Sequence, residues 1–281
     1  MKRALLALAA SCANSLYVAK SPGSGHPLTA AEREHFHILA MPKQKLAFCY
    51  IQKVASEHFG PMFNAVNNID GGVDPQFSAI QNLRLSYSEV TKENGWQFAA
   101  FVRDPLERYL SAFLSKCVPT GGNKEPSSGG KFCRGPTLSA PVTAEQKVRL
   151  FEERAKSDLA NGLPTQDSHW KSQTSVIKDS CGMDKFAPSK LDFIGHMTHD
   201  LTATNDEVQA MLSLAHIPDA DKLAAEHFPT TPLALLQCPT QHCTTSFQEL
   251  EQFYRSNETI KTVQMLFQED FDNFGFKKRV Q

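Results

Sequence analysis

Residues 97–111 read QFAAFVRDPLERYLS, and this stretch specifies its local structure clearly. The first six residues form a short apolar run, as expected of a strand that is buried on both faces of a sheet. Asp104 then suits a helix N-cap, Pro105 suits the first helical position, and Glu107 stands where a capping box needs an acidic residue. The stretch therefore predicts a buried strand that ends at Val102 and leads directly into a helix.

Two further apolar runs, LAFCYI at 46–51 and LDFIG at 191–195, resemble the first. Helical patterns lie between and after them, among others at 143–159 and 246–274. Strands that alternate with helices predict a parallel sheet covered by helices. The chain has 281 residues, 41% of them hydrophobic, which is enough for one large core. We therefore predict an α/β fold with a P-loop-like central parallel sheet flanked by helices, in a single domain.

The N-terminus has the composition of a targeting segment. Lys2 and Arg3 precede an apolar run at 4–10 and then small residues, as in a signal peptide. Extended to residue 19, the run is close to the length of a signal-anchor, and an ordinary amphipathic helix is the alternative. We expect a signal peptide or signal-anchor at 1–19, a Pro/Gly/Ser-rich linker at 20–30 and the folded domain at 31–281.

Six of the seven cysteines follow this leader, an even number that is compatible with disulfide bonds in the secretory pathway. Cys117 and Cys133 flank a loop rich in Gly, Ser and Pro. Cys238 and Cys243 flank a second, short loop. Both pairs are predicted to close their loops as disulfides.

Cys49 lies inside an apolar run and is predicted to be a buried thiol, with a bond to Cys181 as the alternative. Zinc bound to Cys238, His242 and Cys243 is a competing interpretation of that segment. No second paired set completes four ligands at the usual spacing, so we expect no metal. The formal charge of −1 and the lack of any base-reading motif argue against a nucleic-acid partner.

Polar residues with anion-binding chemistry follow the first two apolar runs. A turn from a strand into a helix offers free backbone N–H groups and the positive end of the helix dipole. After the first run, Lys53 adds a cation and Ser56 adds a hydroxyl donor, without the glycines of a Walker A loop. After the second run, Arg103 and Ser111 could converge on one phosphate. The alternative is that Arg103 forms a salt bridge and Ser111 fills a tight helix contact.

These motifs resemble the carbohydrate sulfotransferases of the Golgi, the family of the chondroitin, dermatan and HNK-1 enzymes. The resemblance rests on KVAS at 53–56, RDPLERYLSAF at 103–113, His169-Trp170, LDFIG at 191–195 and FQEDFDNFGF at 267–276. It spans roughly residues 45 to 276. It implies that the sulfo donor PAPS is the co-substrate, without a metal, and that a glycan is the acceptor.

By this resemblance, Lys53, Val54, Ala55 and Ser56 bind the 5'-phosphosulfate of PAPS, and Arg103 and Ser111 bind its 3'-phosphate. The sequence also departs from the family. Ala55 replaces a usual glycine, Glu57 replaces Thr or Ser, and Thr198 stands where Glu is common.

Two of these departures have structural consequences. A carboxylate would repel a phosphate, so Glu57 is expected to face away from the turn, since otherwise it would compromise donor binding. Pro61 is expected to delay the start of the following helix to about Gly60.

Sulfo transfer needs a cation at the leaving phosphate and a base at the acceptor hydroxyl. Lys53 suits the first role. His169 is the candidate base because it lies in the family's His-Trp element, and His58 is the rival because it is closer to Lys53 in sequence. Either histidine could instead be a surface or capping residue. Trp170 and the loop at 118–141 are expected to line the acceptor groove by analogy.

The resemblance implies a location in the Golgi lumen, with the N-terminus as a possible membrane anchor, or secretion. The Asn257-Glu-Thr259 sequon would then be available for N-glycosylation. Two other functions remain open at this stage. The anion turns could belong to a nucleotide kinase of the P-loop type, or the protein could be a non-catalytic lumenal carbohydrate-binding relative. The oligomeric state is unknown from the sequence.

Overall fold

The computed structural model describes residues 35–69, 75–119, 123–163, 167–231 and 246–279. The predicted leader at 1–19, the linker at 20–30, and Cys238, His242 and Cys243 lie outside these ranges. Within them, no helix is long and apolar enough to cross a membrane.

A four-stranded sheet forms the centre of the fold, in the order β1-β2-β3-β4. The strands are β1 (Ile38–Met41), β2 (Leu46–Cys49), β3 (Gln97–Arg103) and β4 (Phe193–Met197). Strands β2, β3 and β4 are parallel, as predicted, whereas β1 pairs with β2 in the antiparallel direction. The sheet is therefore mixed, and the prediction of a parallel sheet was wrong at this edge. Only four residues separate β1 from β2, which is enough for a hairpin but too short for a parallel crossover.

Helices cover both faces of this sheet, so the α/β class is confirmed. In chain order they are α1 (Ser56–Val66), α2 (Pro105–Cys117), α3 (Ala144–Asn161), α4 (Gln173–Ser180), α5 (Met183–Phe186), α6 (Leu201–Leu214), α7 (Ala220–His227), α8 (Ser246–Phe253), α9 (Asn257–Leu266) and α10 (Gln268–Phe274). Short 3₁₀ helices lie at Pro75–Ser78, Tyr87–Glu89, Ser127–Gly130 and Pro188–Lys190. The helical pattern at 246–274 is divided into three helices.

Helix α1 begins earlier than predicted. It starts at Ser56, directly after the turn, and contains Pro61 in its interior. The expected start near Gly60 was therefore wrong. Proline removes the one hydrogen bond that its own N–H would give to the carbonyl of Glu57. The buried face of the helix, which includes Phe59 and Phe63, compensates for that loss.

Helix α2 starts as predicted but differs in its capping. Asp104 accepts a hydrogen bond from the Glu107 backbone N–H at 3.0 Å, and Pro105 occupies the first turn. The Glu107 carboxylate does not return to Asp104 and instead pairs with Arg103, at 2.6 Å between Nη2 and Oε1. All residues of α2 are buried, including Arg108 and Ser111, which the sequence placed off the apolar stripe. The helix is thus a central element.

Two apolar clusters fill the molecule, one around the sheet and one between α2, α3 and α8–α10. Cys117 and Cys133 form a disulfide, as predicted. Cys49 is bonded to Cys181, so the prediction of a buried free thiol was wrong. The pairing depends on the packing of the end of α4 against the end of β2, which are 132 residues apart in sequence.

Candidate active site

The turn between β2 and α1 has the backbone geometry of an anion cradle. Lys53 and Ala55 both adopt left-handed conformations, with φ of 66° and 50°. Such residues are strained unless they are glycine, and strain of this kind concentrates at functional sites. Ala55 is the N-cap of α1 and provides no side-chain cap for it. Alternating left-handed residues at an uncapped helix start turn backbone N–H groups toward one concavity, which can hold a phosphate or sulfate.

Lys53 is half-buried beside this concavity. In the described part of the chain, its ammonium forms no salt bridge with a carboxylate. Burial, together with the charges of Lys116, Arg103 and Arg108, lowers its pKa to about 7, and Glu57 partly opposes this. A bound anion would compensate for these repulsions. The electrostatics of the turn therefore favour an anionic ligand.

Arg103 lies at the tip of the neighbouring strand β3 and contacts the same turn. Its Nη1 donates to the Lys53 carbonyl at 3.2 Å, and its Nη2 donates to Ser246 Oγ at 2.9 Å. The salt bridge to Glu107, which the sequence left as the alternative, is present. The buried Nε has no hydrogen-bond partner among the described residues. Lys53 and Arg103 thus belong to one site.

Ser111 lies farther along α2, and only 2% of it is exposed. It is buried like the other residues of this helix. Val54 is also buried, whereas Ser56 is partly exposed at the first position of α1. Of the two serines predicted to bind phosphate, Ser56 is therefore the more exposed.

Arg108 joins this turn to a second segment of the site. Its Nε donates to the Gln52 carbonyl at 2.9 Å. Its other two nitrogens donate to the carbonyls of Ser168 and Lys171, at 2.9 and 2.6 Å. A buried guanidinium thus holds the Lys53 turn beside the segment that carries His169.

His169 and Asp167 form a hydrogen-bonded pair, at 2.6 Å between Nδ1 and Oδ1. The hydrogen bond from His169 lowers the pKa of Asp167, although burial opposes this, so Asp167 is a carboxylate and can only accept. Nδ1 therefore carries the proton, and Nε2 is left as a proton acceptor. Burial lowers the pKa of His169 to about 4, with Lys116 and Lys53 adding to the effect and Asp167 opposing it. His169 is thus a neutral, oriented base at physiological pH.

His58 lies in a different environment. Its Nδ1 donates to the His227 carbonyl at 2.7 Å, and its ring packs against Phe228, with 5.4 Å between centroids. Burial lowers its pKa. No described carboxylate orients its ring. The geometry therefore favours His169 over His58 as the base.

The structure corrects the expectation for Trp170 and adds an electrostatic role for Glu57. Trp170 is fully buried: its Nε1 donates to the Phe132 carbonyl at 2.8 Å, and the Arg154 guanidinium lies 3.9 Å from its ring. It belongs to the core and does not line a groove. Glu57 forms no salt bridge among the described residues, yet its charge raises the pKa of Lys53 and Lys116. Its charge therefore acts on both ammonium groups of the site.

Lys116, Asp167 and Phe132 belong to the site but were missed from the sequence. Lys116 lies in the last turn of α2, near Asp167 and Glu57. The Phe132 ring contacts His169, at 5.6 Å between centroids. A signal for Asp167 was present, since a carboxylate two residues before a candidate base suggests an orienting partner. No local signal distinguishes Lys116 from other helix-terminal lysines.

Comparison with known proteins identifies the class. A family model described as "Sulfotransferase family" matches residues 36–277, so the chain belongs to the sulfotransferase family. Among curated proteins, it is similar to a Caenorhabditis elegans protein named "Putative sulfotransferase vep-2". The two are 23% identical over 182 residues, which cover 64% of this chain and 51% of the relative. The chain thus spans about half the length of the curated relative it matches, and no solved structure matches it.

Proposed function

We propose that this protein transfers a sulfo group from PAPS to a hydroxyl of a carbohydrate. The observation that carries the proposal is the placement of the Lys53 turn, Arg103 and the Asp167–His169 pair around one site. Membership of the sulfotransferase family supports the reaction type. The donor and the acceptor class are part of the proposal.

The residues fit the two ends of such a donor. The left-handed turn and the Lys53 ammonium suit the 5'-phosphosulfate, because they combine backbone donors with a cation that has no described salt-bridge partner. Arg103 suits the 3'-phosphate by its position at the tip of β3, where its guanidinium contacts the Lys53 carbonyl and is held by Glu107 and Ser246. Among the described residues, no group of three His, Cys, Asp or Glu side chains could hold a metal ion.

His169 supplies the base in this mechanism. Its free Nε2 takes the proton of the acceptor hydroxyl, and Asp167 stabilises the imidazolium that forms. Lys53 offsets the negative charge that develops on the departing phosphate. The acceptor is proposed to be a glycan that reaches the site along Phe132.

The compartment follows from the same proposal. Two disulfides in the described residues favour an oxidising environment, since such bonds are rare in the cytosol. Asn257 of the sequon is exposed at the start of α9. We propose a location in the Golgi lumen or secretion, with residues 1–19 as signal peptide or anchor.

The test is an acceptor screen with sulfur-labelled PAPS against a panel of glycans. We expect label transfer without added metal, and loss of at least about 100-fold in turnover for Lys53→Ala. The product nucleotide PAP should raise the melting temperature of the wild type by mass action. PAP binding without transfer to any glycan would instead support a non-catalytic relative, in which Glu57 weakens the donor site. Absence of PAP binding would contradict the proposal.

A further inference from the structure

Lys116 is a buried cation that the mechanism above leaves without a role. Only 5% of the residue is exposed, although it stands in the last turn of a helix. Among the described residues, its ammonium has no salt-bridge partner, and it lies 5.4 Å from the centre of the Phe132 ring. The charges of Asp167 and Glu57 partly stabilise the ammonium, but neither forms a salt bridge with it, and a buried ammonium without a salt bridge is costly. Such a cost is retained where the charge has a ligand to bind.

The surroundings of Lys116 connect it to the candidate base through one aromatic ring. The Phe132 ring that it faces also contacts the His169 imidazole. Its charge also acts on that of Lys53. Lys116 therefore lies against the ring that contacts the proposed base, near enough to Lys53 for the two charges to repel each other.

The geometry points to Lys116 as a second cationic residue of the transfer site, one that binds the sulfo group itself. This inference rests on the proposed function. In the reaction, the acceptor oxygen forms a bond to sulfur while the bond from sulfur to the bridging phosphate oxygen breaks. The electron pair of that bond goes to the phosphate, and the acceptor proton goes to His169. The three remaining sulfo oxygens lie across the line from acceptor to leaving group, where a cation that lies against Phe132, next to His169, could bind them.

If Lys116 binds the sulfo group, its removal should affect the transition state and leave PAP binding unchanged. PAP lacks the sulfo group, so its binding should not depend on Lys116. The transition state carries the sulfo group between two oxygens and should depend strongly on a nearby cation. A residue that binds the nucleotide, or one that only supports the fold, would show a different pattern.

The experiment compares Lys116→Met with Lys131→Met. Methionine keeps the apolar stem against Phe132 and removes the charge. Lys131 is the matched control because its ammonium also lies over the Phe132 ring, at 5.7 Å, but the residue is exposed. We expect Lys116→Met to lower kcat with saturating PAPS by about 10² to 10³-fold. Its Kd for PAP should stay within about threefold of the wild type, and Lys131→Met should match the wild type in both.

Lys116→Arg, which keeps the charge, should recover part of the lost kcat. If Lys116→Met does not fold, as judged by its melting transition, Lys116→Gln and Lys116→Arg are compared in the same two assays. Near-normal kcat in the uncharged variant, or an equal loss of PAP affinity, would overturn the role of Lys116. A wild-type protein that neither binds PAP nor transfers sulfo groups would instead refute the proposed function.

Discussion

At the scale of single residues, the site depends on groups whose charge is set by burial. Lys53 and His169 are both harder to protonate than free side chains, since burial lowers the pKa of Lys53 to about 7 and that of His169 to about 4. The same environment thus keeps the base neutral and makes the lysine responsive to a bound anion. The pKa of Lys53 therefore sets how PAP affinity changes with pH, and the pKa of His169 sets how kcat/KM changes with pH.

PAP affinity should fall as the pH rises above 7. Free Lys53 loses its proton near this pH, whereas an anion favours the ammonium, so binding above pH 7 must take up a proton. The loss is expected to approach about tenfold per pH unit between pH 7.5 and 9. Isothermal titration calorimetry should show this loss of PAP affinity in the wild type but not in Lys53→Arg, because arginine stays charged. The same slope in both proteins would rule out Lys53 as its source.

His169→Gln should lower kcat by about 10² to 10⁴-fold with little change in PAP affinity, because it removes the base but no donor contact. In the wild type, kcat/KM should fall on the acid side only as the pH nears 4, where His169 gains its proton. Asp167→Asn should also lower kcat, since an amide can leave Nε2 protonated. His58→Gln is the control and should keep the wild-type profile. If His58→Gln abolished turnover and His169→Gln did not, the roles would be reversed.

At the scale of elements, helix α2 organises the site. Its first turn is fixed by Asp104, one turn later Arg108 reaches the β2–α1 turn, and its last turn carries Lys116. The helix is buried over its whole length, so it can hold groups from several segments in register. Strand β3, which leads into this helix, packs tightly beside β4 in the sheet, where a Cβ on Gly195 would collide with the Phe101 ring.

Arg108→Met should lower the free energy of unfolding by roughly 3 kcal/mol, because three buried carbonyls lose a charged donor. Arg149→Met is the control. The Arg149 side chain is 76% exposed and forms only an ion pair at 3.8 Å with Glu153. Its loss should change stability by less than about 0.5 kcal/mol. Denaturant unfolding measures the stability of both variants. Equal stabilities would show that Arg108 does not hold the β2–α1 turn against the segment that carries His169.

At the scale of the whole molecule, the two described disulfides join cysteines at very different separations along the chain. Cys49–Cys181 joins β2 to the end of α4 across 132 residues, whereas Cys117–Cys133 closes a loop of 16 residues. A crosslink stabilises chiefly by restricting the unfolded chain, and the restriction grows with the span. The long crosslink therefore contributes to the fold as a whole, and the short one to the loop that carries Phe132.

Replacing Cys49 and Cys181 together by alanine should lower stability by about 2–5 kcal/mol. The matched variant with alanine at Cys117 and Cys133 should lose less stability, because the Cys117–Cys133 disulfide closes a shorter loop. Thermal unfolding under oxidising conditions checks the order of the two melting temperatures. A larger loss in the Cys117 and Cys133 variant would contradict this account.

The amino-acid sequence alone determined the parts of this protein that depend on neighbouring residues. The apolar runs, the Asp104-Pro105 helix start and the short Cys117–Cys133 crosslink each have a signal within a few residues or one loop. The anion turns after β2 and β3 were also visible, because strand ends and helix starts follow from local pattern. These features placed Lys53 and Arg103 side by side, as the structure shows.

The tertiary structure alone decided the features that join distant segments. Which surfaces pack together decided the antiparallel edge strand, the Cys49–Cys181 bond, the burial of Trp170 and the contact of Lys116 with the Phe132 ring. Local propensity is silent about such contacts, because their free energy arises from burial and electrostatics between residues far apart in the chain.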